Sequence, residues 1–342
     1  MPKNDMQEFL KTVNEEFGDY TAIILDEGKV LDVDVIPTGV EVIDKATGIG
    51  GIPRGRITEV FGNEACGKTT LCLHAIAQAQ KQGSNALFVD AEHALSPERM
   101  KTIGVDTSKL IISQPDSGER ALDLVDMAAR SGKFAIIVVD SVAALTPQVE
   151  LDKDMGDSVM GVHAKLMSQA MRKLTAPISK SNTALVFTNQ TRSNIGGYGA
   201  AEVTTGGNAL KFYTSLRLKM QFTGKIENPK GERISGKYKM TVVKNKMACP
   251  FKVAEFEING NGIDDSGFIV QQLIDAEVLE KSGAFLKFEG EVLAQGTRNL
   301  AQKLVDEPEL REKLVLALHK KNEVPAYGIN GREHNQKDSK NY

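Results

Sequence analysis

The apolar positions of this 342-residue chain change their period along its length. In residues 6 to 17, Met6, Phe9, Leu10, Val13 and Phe17 recur at helical spacing and predict a short amphipathic helix. "YTAIILDEG" then reads as a strand closed by a turn, and this helix-strand pair has no core of its own. From residue 57 the short apolar runs "ITEVF", "ALFVD", "FAIIVVD" and "TALVFT" are separated by helical patterns, from Gly67, over 119–131 and over 158–180. Unbroken apolar strands with helices between them predict a mostly parallel central sheet covered on both faces, an α/β fold. "SLRLKMQF", "KYKMTVVKNK" and "KVAEFEI" alternate more and are expected as exposed, antiparallel strands. Residues 265–321 turn helical and are expected to form a small C-terminal domain. Residues 322–342 read as a disordered tail, and from Lys320 to Tyr342 the chain is mildly basic, with Lys320, Lys321, Arg332, Lys337 and Lys340 against Glu323, Glu333 and Asp338.

Composition narrows the classes. Hydrophobic residues make up 41% and charged residues 25%, with a formal net charge of −3. This is an ordinary globular balance, and any contact with nucleic acid has to come from local geometry. The three cysteines, Cys66, Cys72 and Cys249, fit no zinc or disulfide spacing, so a reducing compartment is expected. The N-terminus has no apolar leader pattern and no run is long enough to span a membrane, which predicts a cytoplasmic protein.

"GNEACGKTT" changes the picture most. Gly62, Gly67, Lys68 and Thr69 stand at the full G-x-x-x-x-G-K-T spacing, between the strand "ITEVF" and the helix that follows. Such a loop wraps a polyphosphate with its backbone N–H groups, which makes Asn63, Glu64, Ala65, Cys66 and Thr70 nucleotide contacts as well. Lys68 would reach the β- and γ-phosphates and Thr69 would bind Mg²⁺. Asp140 ends a wholly apolar strand, where a bare carboxylate is costly unless it meets a ligand crevice. It is the second candidate for the Mg²⁺ shell. Hydrolysis further needs a group to activate water, and "DAEHAL" offers Asp90, Glu92 and His93, of which Glu92 is the best placed.

Two other segments carry chemistry. In "VVKNK", Lys244 and Lys246 lie two apart and face one side of a strand with no acid between them. They suit either a polyphosphate across a subunit boundary or a solvated basic edge. Asn189 to Ala209 is a long stretch with five glycines and one basic residue, Arg192. A segment of that length inside a domain points to a functional loop, either a substrate lid or a binding loop.

"GNEACGKTTL", "DAEHAL", "IIVVDSVAALTP", "MSQAMRKL", "TTGGNALKFY" and "VVKNKMACPF", in this order, resemble the bacterial RecA recombinases over residues 6 to 320. The resemblance implies a P-loop NTPase of RecA-type core, residues 34–264, behind a helix-strand oligomerisation element, residues 1–33. The C-terminal domain, 265–321, is then small and α+β. It implies an ATP- and Mg²⁺-dependent protein that forms helical filaments on single-stranded DNA, pairs it with homologous duplex and exchanges strands. Repair, the SOS response to DNA damage, and repressor or mediator proteins as partners come with it. Glu92 resembles the family's water-activating glutamate, Gln190 its γ-phosphate sensor, and Lys244 and Lys246 the lysines that reach a neighbour's ATP. Residues 150–161 and the glycine-rich segment resemble the two DNA-binding loops. Met160 and Ile195 match residues that wedge between bases, and Lys165, Arg172, Arg192, Gly206, Gly207 and Asn208 match positions near DNA phosphates. Phe212 resembles the aromatic plug of the subunit interface. Arg99 stands where many relatives have an adenine-stacking tyrosine, and Cys66 where serine is usual. Two rivals share this core: a ring-forming helicase, which electron microscopy separates, and a non-hydrolysing mediator, which an ATPase assay separates.

Overall fold

The structure, a computed structural model, describes residues 3–17, 33–154, 161–192, 203–227 and 230–322. The strand expected at Tyr20–Leu25, the wedge residues Met160 and Ile195, and the tail beyond 322 lie outside the described residues. The chain divides into two compact units, Met1–Asp34 and Val35–Tyr342. In the first, α1 (Lys3–Phe17) is the amphipathic helix expected from its spacing. Of its apolar residues, Phe9 is 62% exposed and Met6 43%.

The second unit begins with β1 (Val35–Ile36), α2 (Glu41–Thr47) and β2 (Ile52–Pro53), and then alternates β3 (Ile57–Gly62), α3 (Lys68–Lys81), β4 (Ala86–Asp90), α4 (Pro97–Ile103), β5 (Leu110–Ser113), α5 (Gly118–Ser131) and β6 (Ile136–Asp140). After a turn of 3₁₀ helix come α6 (Gln148–Leu151), α7 (Val162–Ser181), β7 (Ala184–Arg192), β8 (Val203–Thr204) and α8 (Ala209–Tyr213). β9 (Leu216–Glu227), β10 (Arg233–Asn245), β11 (Val253–Asn259) and β12 (Gly262–Asp264) complete the main sheet. The chain ends in α9 (Ser266–Asp275), β13 (Glu280–Ser282), β14 (Phe285–Phe288), β15 (Glu291–Gln295), α10 (Thr297–Asp306) and α11 (Pro308–Asn322).

Among the described residues the main sheet runs β12-β11-β10-β9-β3-β7-β6-β4-β5, parallel from β9 to β5 and antiparallel from β9 to β12, with β8 on β7. Each parallel strand sends alternate side chains to opposite layers, as the two-residue period requires. Ala86, Phe88, Ile136, Val138 and Val186 pack with α2 and α3. Leu87, Val89, Ile137, Val139, Leu185 and Phe187 pack under α5 and α7. Helices cannot cover an alternating strand on both faces, so the unbroken apolar runs decided the parallel layout.

Two expectations need correction. "SLRLKMQF" is antiparallel on one side only: β9 pairs antiparallel with β10 but runs parallel to β3, and its Leu216, Leu218 and Met220 are fully buried rather than exposed. Its apparent alternation arose because Arg217 and Lys219 occupy the other face. The helical reading of 265–321 is incomplete, and the α+β character that the resemblance implied is present, since β13, β14 and β15 form an antiparallel meander against α9, α10 and α11 around Leu286, Leu300 and Leu314. Strands of three to five residues leave too short a period to be legible. A third omission is β5, whose Ile111 and Ile112 are half exposed at the sheet edge.

Candidate active site

Parallel pairing sets the site. Gly62 lies beside Gln190, and Asp90 beside Asp140, so the carboxyl ends of β3, β7, β4 and β6 end in one row. The loop after β3 then turns into α3 with Gly67 at φ +89°, a left-handed backbone that suits glycine. Gly62 is required by close approach: a Cβ there would sit 2.1 Å from the carbonyl oxygen of Met220 on β9.

A cavity of about 280 Å³ opens over this loop, lined by residues 64–70 together with Glu92, Arg99, Asp140 and Gln190. Separate segments thus meet in one place. Lys68, 9% exposed, folds its Nζ onto the carbonyl oxygens of Gly62 (3.2 Å) and Asn63 (2.8 Å). Thr69 Oγ1 donates to Asp140 Oδ2 at 2.6 Å, and Thr188 donates to the other carboxylate oxygen. Burial pushes the Asp140 carboxyl above its ordinary range, and those two hydrogen bonds oppose the shift. Glu92 Oε1 accepts from Ser141 Oγ at 2.5 Å and from Gln190 Nε2 at 3.2 Å. Arg99 reaches in from α4 and donates to Thr70 Oγ1 at 3.1 Å. Asn63 Oδ1 accepts from Thr191, which ties the phosphate loop to the strand that carries Gln190. Asp90 braces the turn that holds Glu92, because its buried carboxylate accepts from Ala94 N and Gln114 Nε2.

Sequence reasoning missed four contributors. Ser141 and Thr188 supply hydroxyls to Glu92 and Asp140; Ser141 follows β6 and Thr188 closes the apolar run within β7, so a polar residue after an apolar run was the available signal. Tyr238 and Ile258 wall the cavity from the antiparallel strands, far along the chain, with nothing local to mark them. Ile258 closes on the phosphate loop, since a Cβ on Gly67 would meet its Cδ1 at 2.3 Å. Burial holds the Cys66 thiol above its usual range, so it behaves as a small apolar filler.

The two lysines lie elsewhere. Lys244 pairs with Arg217, which is level with Glu59, three residues before Gly62 and two strands away. That puts it roughly 10 Å along and 10 Å across from this chain's own phosphate loop. A register shift between Val242 and Lys244 turns Lys244 off the face where Val242 is buried, the re-aiming a β-bulge provides. Lys244 Nζ donates to the carbonyl oxygens of Lys211 (2.6 Å) and Phe212 (3.1 Å), and Lys246 Nζ to that of Phe212 (3.5 Å). The two ammonium groups do share a side, at the end of α8. Phe212 itself is 72% exposed.

The DNA candidates are only partly gathered. Gly206 and Gly207 pack where a Cβ would sit 3.0 Å from Val142 and from Ala164, so the returning loop lies against the start of α7. Asn208 caps α8. Lys165 and Arg172 are exposed on α7, Lys165 in a groove shared with α5, Arg172 in a cavity shared with Arg56 and Tyr213. Arg192 ends β7, and its side chain lies outside the described residues.

A phosphate loop on a parallel α/β sheet, with a carboxylate at the end of β6, two strands away, and a glutamate across the cavity, defines a P-loop NTPase. The sequence pattern of the RecA N-terminal domain matches residues 4–264. Protein RecA of Thermus aquaticus is 50% identical over 314 residues, 91% of this chain and 92% of that protein. Protein RecA of Francisella philomiragia is 49% identical over 317 residues, 92% of this chain and 88% of its own. Protein RecA of Amycolatopsis mediterranei is 47% identical over 309 residues, 89% and 88% respectively. The chain belongs to the RecA family of recombinases. It is a DNA-dependent ATPase of homologous recombination and repair that forms filaments on single-stranded DNA and exchanges strands with homologous duplex. Among the described residues no helix is long and apolar enough to cross a membrane.

Proposed function

We propose that hydrolysis of ATP in this cavity is run by Lys68, Glu92 and Gln190 of one subunit together with Lys244 and Lys246 of the next. The observation that carries the reading is the single hydrogen-bonded cluster of Glu92, Gln190 and Ser141 facing the phosphate loop. Lys68 releases its carbonyl partners to neutralise β- and γ-phosphate charge. Glu92 accepts a proton from the attacking water, and Ser141 holds the carboxylate in place. Gln190 gives up its bond to Glu92 when a γ-phosphate oxygen offers a better acceptor, which frees the glutamate and pulls on the start of the loop that follows β7. Arg99 lies flat against the adenine ring.

Mg²⁺ fits the donor set. Thr69 and Asp140 present hard oxygens 2.6 Å apart, and this ion takes one or two protein oxygens with phosphates and waters making up the rest. Thr69 and Asp140 would hold it, and it would neutralise charge on the departing diphosphate.

Lys244 and Lys246 act in trans, because their register sets them off from their own phosphate loop, with Lys246 and the adjoining Phe212 exposed. Assembly joins residues 1–33 of one subunit to the core, 34–264, of another. The exposed Met6 and Phe9 of α1 suit the half-exposed Ile111 and Ile112 at the β5 edge of a neighbour. The glycine-rich loop, with Arg192 and Ile195, clamps single-stranded DNA beside Gly206, Gly207, Asn208, Lys165 and Arg172, and Met160 enters from the first loop. Residues 265–321 form the small C-terminal domain, and the protein works in the cytoplasm, with repressor or mediator proteins as partners.

The test is steady-state ATPase with and without single-stranded DNA on Glu92→Gln. Loss of the base costs about 10²- to 10⁴-fold in turnover while nucleotide binding stays. Wild-type turnover in Glu92→Gln removes that residue from the role.

A further inference from the structure

The sheet beneath the long loop contains a buried ion pair that the reaction as described leaves unused. Glu59 on β3 is completely buried, and both its carboxylate oxygens are taken. Oε2 accepts from Arg217 Nε on β9 at 2.5 Å, and Oε1 accepts from Asn189 Nδ2 on β7 at 2.9 Å. The Arg217 guanidinium also lies 4.5 Å over the Phe61 ring, on the strand that leads into the phosphate loop.

Asn189 joins this pair to the neck of the loop. Its amide nitrogen also donates to Thr205 O at 2.9 Å, and its Oδ1 accepts from Gln190 N at 2.9 Å. One side chain therefore holds the residue where the loop leaves the sheet and the residue where it returns. A short ladder, Thr191 with Thr204 and Arg192 with Val203, closes the same neck. The hydroxyls of Thr204 and Thr205 are buried with no partner among the described residues, so the neck retains bonding capacity for a second arrangement.

At the other end, Arg217 is the cross-strand partner of Lys244. The two charges sense each other: burial, Lys246 and then Arg217 depress the Lys244 ammonium, while Glu59 raises it. A buried pair of this kind adds little net stability against an apolar replacement. Its position, between Gln190 and Lys244, gives it another use.

We infer that Asn189, Glu59 and Arg217 form a positioning relay that ties the neck of the DNA loop and Gln190 to Lys244, so that DNA in the loop and a nucleotide at the next subunit bias one arrangement of the sheet. This deepens the reading above and rests on it. None of the three lines the cavity over the phosphate loop. They set where Gln190 and Lys244 stand.

Removing Arg217 alone would strand a buried carboxylate. The variant to use is Glu59→Gln with Arg217→Met, which keeps both shapes, leaves no lone charge and leaves Asn189 an acceptor. Asn189→Ala cuts the relay at its other end. For each, the full-length protein is followed by thermal melting, by affinity for a fluorescent ATP analogue without DNA, and by ATPase with and without single-stranded DNA. Both variants are expected to bind the analogue within about twofold of wild type and to lose about tenfold or more of the stimulation by DNA, the scale of a coupling between sites. Combining them should add nothing further, because each cuts the same connection. The relay is wrong if Asn189→Ala keeps its DNA stimulation, whatever the pair variant does. It is also wrong if nucleotide affinity without DNA falls as far as the stimulated rate, since that marks a merely structural role. A wild-type protein that DNA does not stimulate would instead overturn the site reading itself.

Discussion

Acidification should destabilise the fold through His74, which lies on the helix that follows the phosphate loop. His74 Nε2 accepts a hydrogen bond from Ile263 N at 2.9 Å, so the ring must be neutral with its proton on Nδ1. Burial between α3 and β12, with the charges of Lys81 and Arg99 nearby, lowers its pKa from 6.5 to about 4. The unfolded chain therefore binds the proton more tightly over this range. The contribution to stability is complete above pH 6.5 and is lost as pH falls toward 4. At 1.36 kcal/mol per pH unit the whole difference is about 3 kcal/mol, most of it gone by about pH 4.5. His74→Gln keeps an acceptor for Ile263 N and does not titrate. Denaturant melts of both proteins at several pH values between 4.5 and 7.5 should show wild type losing about 2–3 kcal/mol relative to the variant on acidification. Parallel stabilities across that range would refute the assignment of the ring as a buried neutral acceptor.

Asp44 should tilt the opposite way. Burial raises its carboxyl from 3.8 to about 7, against hydrogen bonds from Thr38 and Gly39, so the folded state binds the proton more tightly and stability falls as pH rises through that window. Asp44→Asn should gain on wild type between pH 4.5 and 7.5 by roughly 3 kcal/mol, and melts that run parallel would contradict this. Gly67→Ala forces alanine into a left-handed backbone at about 1–2 kcal/mol, which should weaken ATP-analogue binding about 5- to 30-fold. Trimming Ile258 to alanine in that background removes the clash with its Cδ1 and should recover only part of the loss. Binding by Gly67→Ala within twofold of wild type, measured by fluorescence titration, would show that the loop reshapes freely.

Local pattern settled most of this protein. Unbroken apolar runs dictated a parallel sheet because a strand covered on both faces has no polar positions to spare, and β4, β6 and β7 are buried along nearly their whole length. The phosphate loop was legible because its chemistry depends on residues adjacent in the chain. Glu92 and Asp140 were legible because each follows such a strand, where topology sends every strand end to one crevice. Pairing between distant segments decided the rest. The parallel place of β9 depends on docking against β3, and only that docking brings Arg217 onto Glu59 and Met220 onto Gly62. Tyr238 and Ile258 reach the cavity because the antiparallel strands curl over it, and no spacing in the chain encodes that approach. The separation of Lys244 from its own phosphate loop depends on register and one bulge, and a shift of one residue in either would turn it to the opposite face. Sequence sets what each short segment can bury, and tertiary pairing sets which buried polar groups meet.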